Sequence, residues 1–156
     1  MTVTEVNAAT CVSDFIIFLR DRLDANITDP ISSSRGTNED FVFSSYPKMN
    51  VRYPVITVND KDVHQIQKMG MQNEDSLLYL GAEVRIWGRN VKERDELMQQ
   101  VFDYLRTNQF STDDFRSANL HDFKFESSVN VTESGEEGIK SKVMNYSWIF
   151  ETGTIV

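Results

Sequence analysis

The side chains that could carry out chemistry in this sequence are few and far apart. His64 and His121 are its only histidines, and Cys11 is its only cysteine. Neither histidine has a second metal ligand at a spacing such as four residues, and one cysteine can build neither a cysteine-based zinc site nor an intrachain disulfide. The sequence therefore predicts no metal site built from these residues and folding in a reducing compartment.

Two carboxylate pairs, Asp113-Asp114 and Glu136-Glu137, are the other candidates for acid–base chemistry. Adjacent residues in a turn rarely converge on one substrate, so we interpret both pairs as solvated charge. A Ser-His-Asp arrangement stays open, because its members need not be neighbours in the chain. No GxSxG turn accompanies it, however, and we predict that the chain is not an enzyme.

The composition narrows the class of protein. The chain has 156 residues, of which 40% are hydrophobic, and it carries a formal net charge of -8. This length and hydrophobic content suit a single domain over residues 1–156, with a flexible stretch at 1–10. The acidic balance argues against specific binding of a nucleic-acid backbone, which needs clustered Lys and Arg. No signal peptide or membrane-length apolar run is found, so we expect a soluble protein made in the cytoplasm.

Apolar spacing predicts two amphipathic helices. The first covers residues 12–27 and ends before Asp29-Pro30, because a residue that precedes proline avoids the helical conformation. The second follows Gly88-Arg89-Asn90, with Asn90 as N-cap and Glu93 in the position of a capping box. We expect it to fray near Thr107-Asn108.

Alternating residues predict the strands. Residues 77–88 place Leu78, Leu80 and Ile86 on one face and Tyr79 and Trp87 on the other. Shorter strands are predicted at 41–45 and 53–58. Residues 123–131 and 143–151 are predicted to form a long antiparallel hairpin, in which Phe125 and Val129 lie on one face of the first strand. The fold class is therefore α+β, with an antiparallel or mixed sheet, two main helices packed on one face and a C-terminal β-hairpin.

Several residues outside the expected core are candidates for contact with a partner. Polar loops are expected at 31–40 and 59–76, and the second contains Met69 and Met71, which could meet a partner or fold back into the core. Tyr79 and Trp87 could form a second core layer under a helix, or they could form an oligomer contact. Tyr53 and Pro54 precede the run "VITV", where Pro47 and Pro54 would mark a strand boundary or an edge beside a partner.

The order of these elements, with the segments "YPVITV" and "LGAEVRIWGRNVKERDELMQQVFDYL", resembles tail-terminator proteins of long-tailed bacterial and archaeal viruses. These proteins are also called tail-completion or tail-to-head joining proteins. The resemblance covers roughly residues 12–151. It implies a virion protein with no enzymatic activity and no cofactor, assembled in the host cytoplasm.

The resemblance also implies partners. Such a subunit forms a homo-oligomeric ring, expected to be hexameric, which caps the tail tube protein, ends tail polymerisation and offers a surface to a neck or head-completion protein. DNA would pass through the lumen without specific binding, and no membrane is involved. The candidate contacts with the ring or the tube are Tyr53, Pro54, Met69, Met71, Tyr79 and Trp87.

Three alternatives stay open at this point. The first is a head-closure or neck connector subunit, which differs from a terminator in its mating partner. The second is a cytoplasmic α+β enzyme or small-ligand-binding domain, which would need a concave pocket with convergent polar groups. The third is a structural oligomer of a non-viral contractile or secretion apparatus, which differs only in its cellular context.

Overall fold

The computed structural model describes residues 6–7, 10–45, 51–69, 75–109, 115–131 and 139–152. Across these ranges the chain forms two α-helices and one mixed five-stranded sheet, which confirms the predicted α+β class. The elements in chain order are α1 (Cys11–Asn26), β1 (Val42–Phe43), β2 (Val55–Met69), β3 (Asp75–Gly88), α2 (Val91–Asn108), β4 (Leu120–Val131) and β5 (Lys140–Glu151).

The strands lie in the spatial order β1-β2-β3-β5-β4. Every neighbouring pair is antiparallel except β1 and β2, which run parallel where Val42 pairs with Ile56. The predicted C-terminal hairpin is confirmed as β4 and β5. Because β1 is only two residues long, it covers only a short part of the outer edge of β2.

Both helices begin and end close to the predicted residues. α1 ends at Asn26, ahead of Asp29 and Pro30. The Oδ1 atom of Asn90 accepts a hydrogen bond from the backbone N–H of Glu93 at 2.9 Å, as the capping pattern predicted. The Glu93 carboxylate in turn accepts from the backbone N–H of Arg89 at 3.1 Å. One donor that the helix start leaves unpaired, the N–H of Glu93, is thereby satisfied, together with the N–H of the residue before the cap.

Both helices pack on the same face of the sheet. The face is formed by alternate residues of β3, which belong to one buried cluster with Leu19 and Leu23 of α1 and with Leu97 and Val101 of α2. The contributing residues of β3 are Leu80, Ala82, Val84 and Ile86. Residues that point to the opposite face, such as Trp87, do not belong to this cluster. We call that opposite surface the second face.

An aromatic group centred on Trp148 of β5 joins the helices to the sheet. Its ring lies 5.4 Å from Phe15 of α1, 5.6 Å from Phe115 in the turn before β4 and 5.3 Å from Phe123 of β4. Large aromatic side chains contribute strongly to burial, and edge or offset contacts add to it. This group therefore connects both halves of the chain through one strand.

The prediction of a loop at residues 59–76 is wrong for most of these residues. β2 continues to Met69 and β3 begins at Asp75, with Val63 paired to Leu80 and Gln65 to Leu78. Residues 70–74 lie outside the described residues. The segment is polar because much of it faces solvent, and backbone pairing with β3 makes it a strand despite its composition. The predicted loop at 31–40 contains no helix or strand in the structure.

The simple alternation predicted for 123–131 is also wrong, because β4 contains a bulge. The register shifts between Phe125 and Ser127, which pair with Tyr146 and Asn145. An extra residue in one strand reverses the face on which later side chains lie. Phe125 consequently stays on the helix-bearing face, whereas Val129 lies on the second face.

Gly88 allows the close approach of β3 to the first turn of α2. A Cβ atom at this position would lie 2.9 Å from the backbone nitrogen of Arg94, which is part of the helix and cannot yield easily. We expect Gly88→Ala to lower the free energy of unfolding by about 1–3 kcal/mol, as overpacked sites do. Urea denaturation would measure the loss. In the control Gly36→Ala the new Cβ meets only the flexible side chain of Glu39, so an equal loss there would contradict the steric account.

Glu93 makes stability depend on pH. The hydrogen bond from the Arg89 guanidinium lowers the pKa of the Glu93 carboxyl below its usual value, an effect that burial partly opposes. Its stabilising contribution is therefore complete above the unfolded pKa of about 4.3 and is lost as the pH falls through the lower folded pKa. We expect Glu93→Gln to make unfolding free energy less dependent on pH in this acidic window. Identical pH slopes for the variant and the wild type would contradict this account.

Candidate assembly surface

Tyr53 and Pro54 lie immediately before β2 and are joined by a cis peptide bond. Pro54 is buried, and Tyr53 is half-buried. The first residues of β2 pair with β1, and the backbone N–H of Ile56 donates a hydrogen bond to the carbonyl of Phe41 at 3.0 Å. Pro54 therefore marks a strand boundary, which is one of the two places predicted for it. Because it is buried at the covered end of β2, it offers little surface to a partner.

Arg35 anchors this segment. Its guanidinium pairs with Asp29 at 2.5 Å and donates to the backbone carbonyls of Arg52 at 2.9 Å and Pro54 at 2.8 Å. The side chain of Arg35 is only 5% exposed, so the ion pair is buried and its donors are met by several acceptors. One side chain thus holds the loop after α1 against the start of β2.

Tyr79 lies flat on the second face. A Cβ atom on Gly81 would meet its ring at 3.2 Å, so the missing side chain makes room for the ring. The Tyr79 hydroxyl donates to the Glu126 carboxylate, and the imidazole of His64 stacks on the ring with centroids 4.7 Å apart. Burial, and then the contact with Glu126, raises the pKa of the Tyr79 hydroxyl, which stays a donor at neutral pH.

Trp87 occupies the opposite end of the same face. Its indole nitrogen lies 3.4 Å from the hydroxyl of Thr57, and the guanidinium of Arg85 lies 5.2 Å from its ring centroid. The structure therefore brings Tyr79 and Trp87 onto one surface, although at different ends of it. Neither lies beneath a helix of the described chain, because α1 and α2 both pack on the other face. The alternative of a second core layer under a helix is thus wrong for these two residues.

The side chains of the two methionines that were predicted to contact a partner are not among those described. Met69 is the last residue of β2, opposite Asp75, and its side chain is not among those described. Met71 lies outside the described residues, as does Pro47. Their predicted role in partner contacts stays a prediction.

The sheet has unpaired strand edges on both sides within the described residues. β4 is the last strand on one side, and beyond Val58 the edge of β2 has no neighbour among the strands described, because β1 ends at Phe43. Exposed apolar side chains lie on these two strands, namely Ile66 on β2 and Phe125 and Val129 on β4. Open edges with apolar residues favour pairing with another chain.

Sequence reasoning missed these edge residues. Ile66 was assigned to a loop, and Phe125 and Val129 were placed on one face because the bulge was not recognised. The signal that could have identified β2 is the alternation of Val63 with polar neighbours, although the register shifts in this strand obscure it. Edge position itself depends on the spatial order of strands, which single-strand patterns do not reveal.

The two histidines singled out for chemistry do not come together. His64 and His121 lie on strands at opposite sides of the sheet, and the Nδ1 atom of His64 approaches Asp62 at 3.3 Å. Among the described residues no three His, Cys, Asp or Glu side chains could hold one metal ion. Asp113-Asp114 and Glu136-Glu137 lie outside these residues. Neither described helix is long and apolar enough to cross a membrane.

The Arg35 anchor can be tested against a neighbouring arginine. We expect Arg35→Ala to lower the unfolding free energy by about 3 kcal/mol, because it leaves the mostly buried Asp29 carboxylate without its ion-pair partner. Arg52→Ala is the control, since that side chain is 59% exposed and its pairing with Glu39 should contribute at most about 1 kcal/mol. Guanidinium denaturation of both variants would measure the difference. Similar losses for the two arginines would refute the anchoring role.

Comparison with known proteins assigns no family to this chain. No protein-family model matches the sequence, and no curated protein is significantly similar to it. The functional conclusion therefore depends on the second face, on the two open edges and on the resemblance described above.

Proposed function

We propose that this chain is the subunit of a tail terminator in a long-tailed virus. Copies would assemble side by side into a closed ring that caps the tail tube and ends its polymerisation. The ring would then present the surface that joins the tail to the filled head. The sequence resemblance suggests this role, and the arrangement of the sheet supplies the physical support for it.

The observation that carries the proposal is the pair of open edges on opposite sides of one sheet. Within the described residues, β4 forms one edge, and the part of β2 beyond Val58 forms the other. Two different edges on one subunit support a head-to-tail contact, in which each copy uses its β4 edge on one neighbour and its β2 edge on the other. Contacts of this kind produce rings when the rotation closes.

The position of the helices supports the same arrangement. α1 and α2 pack on one face, so they do not block the approach of a neighbouring sheet from either side. The second face, with Tyr79 and Trp87 at its ends, is available for the tube protein or for the neck. A net charge of -8 on each subunit would disfavour binding of DNA that passes through the ring.

Two of the three alternatives differ from a terminator in what they require of the structure, and the third differs only in its cellular context. A head-closure or neck subunit would use the same ring but mate with the portal or an adaptor instead of the tube. An enzyme or small-ligand domain would require the histidines or carboxylates to converge in a pocket. Because His64 and His121 lie on different strands at opposite sides of the sheet, the geometry supports the ring subunit better.

Electron microscopy of virus particles assembled without this chain tests the role. We expect overlong tails of variable length that are not attached to filled heads, because nothing would stop tube growth. Resupplying the wild-type chain should restore tails of uniform length. Tails of normal length beside unattached heads would contradict the terminator role and favour a neck subunit, whereas intact infectious particles would contradict both.

A further inference from the structure

Phe125 is an exposed aromatic side chain on the outer edge of the sheet. Its ring lies 5.3 Å from Phe102 of α2 and 5.4 Å from Tyr146, yet the residue remains 41% exposed. It lies on the helix-bearing face, and the residues of β4 that share this face after the bulge are Ser128 and Asn130, which are polar. Phe125 is therefore a single apolar projection near the middle of an open edge.

A groove lies at the opposite edge of the same subunit. It has a volume of about 640 Å³ and lies between the first turns of α1 and the place where β1 ends beside β2. Cys11, Val12 and Ile16 supply apolar lining, and Ser44 and Asp60 are polar residues of its wall. Val12 is 39% exposed, so the groove leaves apolar surface in contact with water.

The exposed phenylalanine and the groove lie at the same height on the sheet. Phe125 pairs with Tyr146, Tyr146 pairs with Ala82, and Ala82 pairs with Asp60. One continuous row of paired residues thus runs from the projection to the groove. Because paired residues lie on the same face, both features are on the helix-bearing side of the sheet.

The strand directions fit a copy placed alongside. β3 is antiparallel to both β2 and β5, and β4 is antiparallel to β5, so β4 runs opposite to β2. A neighbour in the same orientation would therefore place its β2 antiparallel to β4 of the first copy. In this arrangement residues 120–125 of β4 in one copy would lie beside residues 60–65 of β2 in the next copy.

We propose that Phe125 of each subunit inserts into the groove between α1 and β2 of the next subunit. The antiparallel pairing of β4 with the free part of β2 would run beside this contact and satisfy backbone groups of both edges. The aromatic ring would remove its own exposed surface and that of Val12 from water. This inference rests on the side-by-side assembly proposed above and names the partner surface as a second copy of this chain.

Disulfide formation between copies tests the contact. In a Cys11→Ser background, a chain with both Val12→Cys and Phe125→Cys should form a ladder of covalent multimers on mild oxidation, because each subunit contributes one thiol to each of two neighbours. A mixture of the two single variants should stop at dimers. The control pairs Val12→Cys with Val129→Cys, which is on the same strand and 55% exposed but on the second face. It should give no ladder.

A second variant separates loss of contact from loss of fold. We expect Phe125→Asp to abolish oligomers in sedimentation velocity while circular dichroism and the unfolding transition stay near those of the wild type. Val129→Asp should leave the oligomers intact.

Closed rings without a Val12–Phe125 ladder would overturn this inference and leave the ring proposal standing. A wild-type chain that stays monomeric, together with a double-cysteine variant that forms no ladder, would overturn both proposals. Equal ladders from both cysteine pairs would also overturn the inference.

Discussion

Packing of the Trp148 indole against Phe15, Phe115 and Phe123 is the interaction on which the rest of this structure depends. It fixes α1, the turn before β4 and β4 itself against β5. A single strand therefore connects both halves of the chain. Because this burial lies entirely on one face, the helices are confined to that side. The open edges and the second face follow from this one-sided arrangement.

Two local irregularities in strand pairing determine which residues the edges of the sheet expose. β1 ends at Phe43 and leaves the rest of β2 without a neighbour on that side in the described chain. The bulge in β4 keeps Phe125 on the helix-bearing face and turns Val129 to the other, so the apolar residues of this edge are divided between two surfaces. An edge with a distinct residue on each face can discriminate between partners, which a uniform edge cannot.

Much of the fold could be predicted from the sequence because its strongest elements are periodic. The two helices, the alternation in β3 and the hairpin all follow from the spacing of apolar residues, and the Asn90 cap follows from its position before that spacing begins. The far half of β2 could not be predicted, because "NDKDVHQIQKM" is polar and becomes a strand only by pairing with β3. The residues of the candidate assembly surface could be predicted only in part. Tyr79 and Trp87 were correctly placed on one face, whereas Pro54 is buried and the edge residues depend on the spatial order of the strands.

Hydrogen–deuterium exchange of the assembled protein, compared with the dilute monomer, tests the central claim most directly, because unpaired edge amides are the groups that assembly should protect. The account predicts that assembly slows exchange in two separate segments, residues 120–125 of β4 and residues 60–65 of β2. Amides of the central strand β3, already paired on both sides, should change little by comparison. Protection gained on the exposed surfaces of α1 and α2, with both strand edges still exchanging freely, would contradict the account.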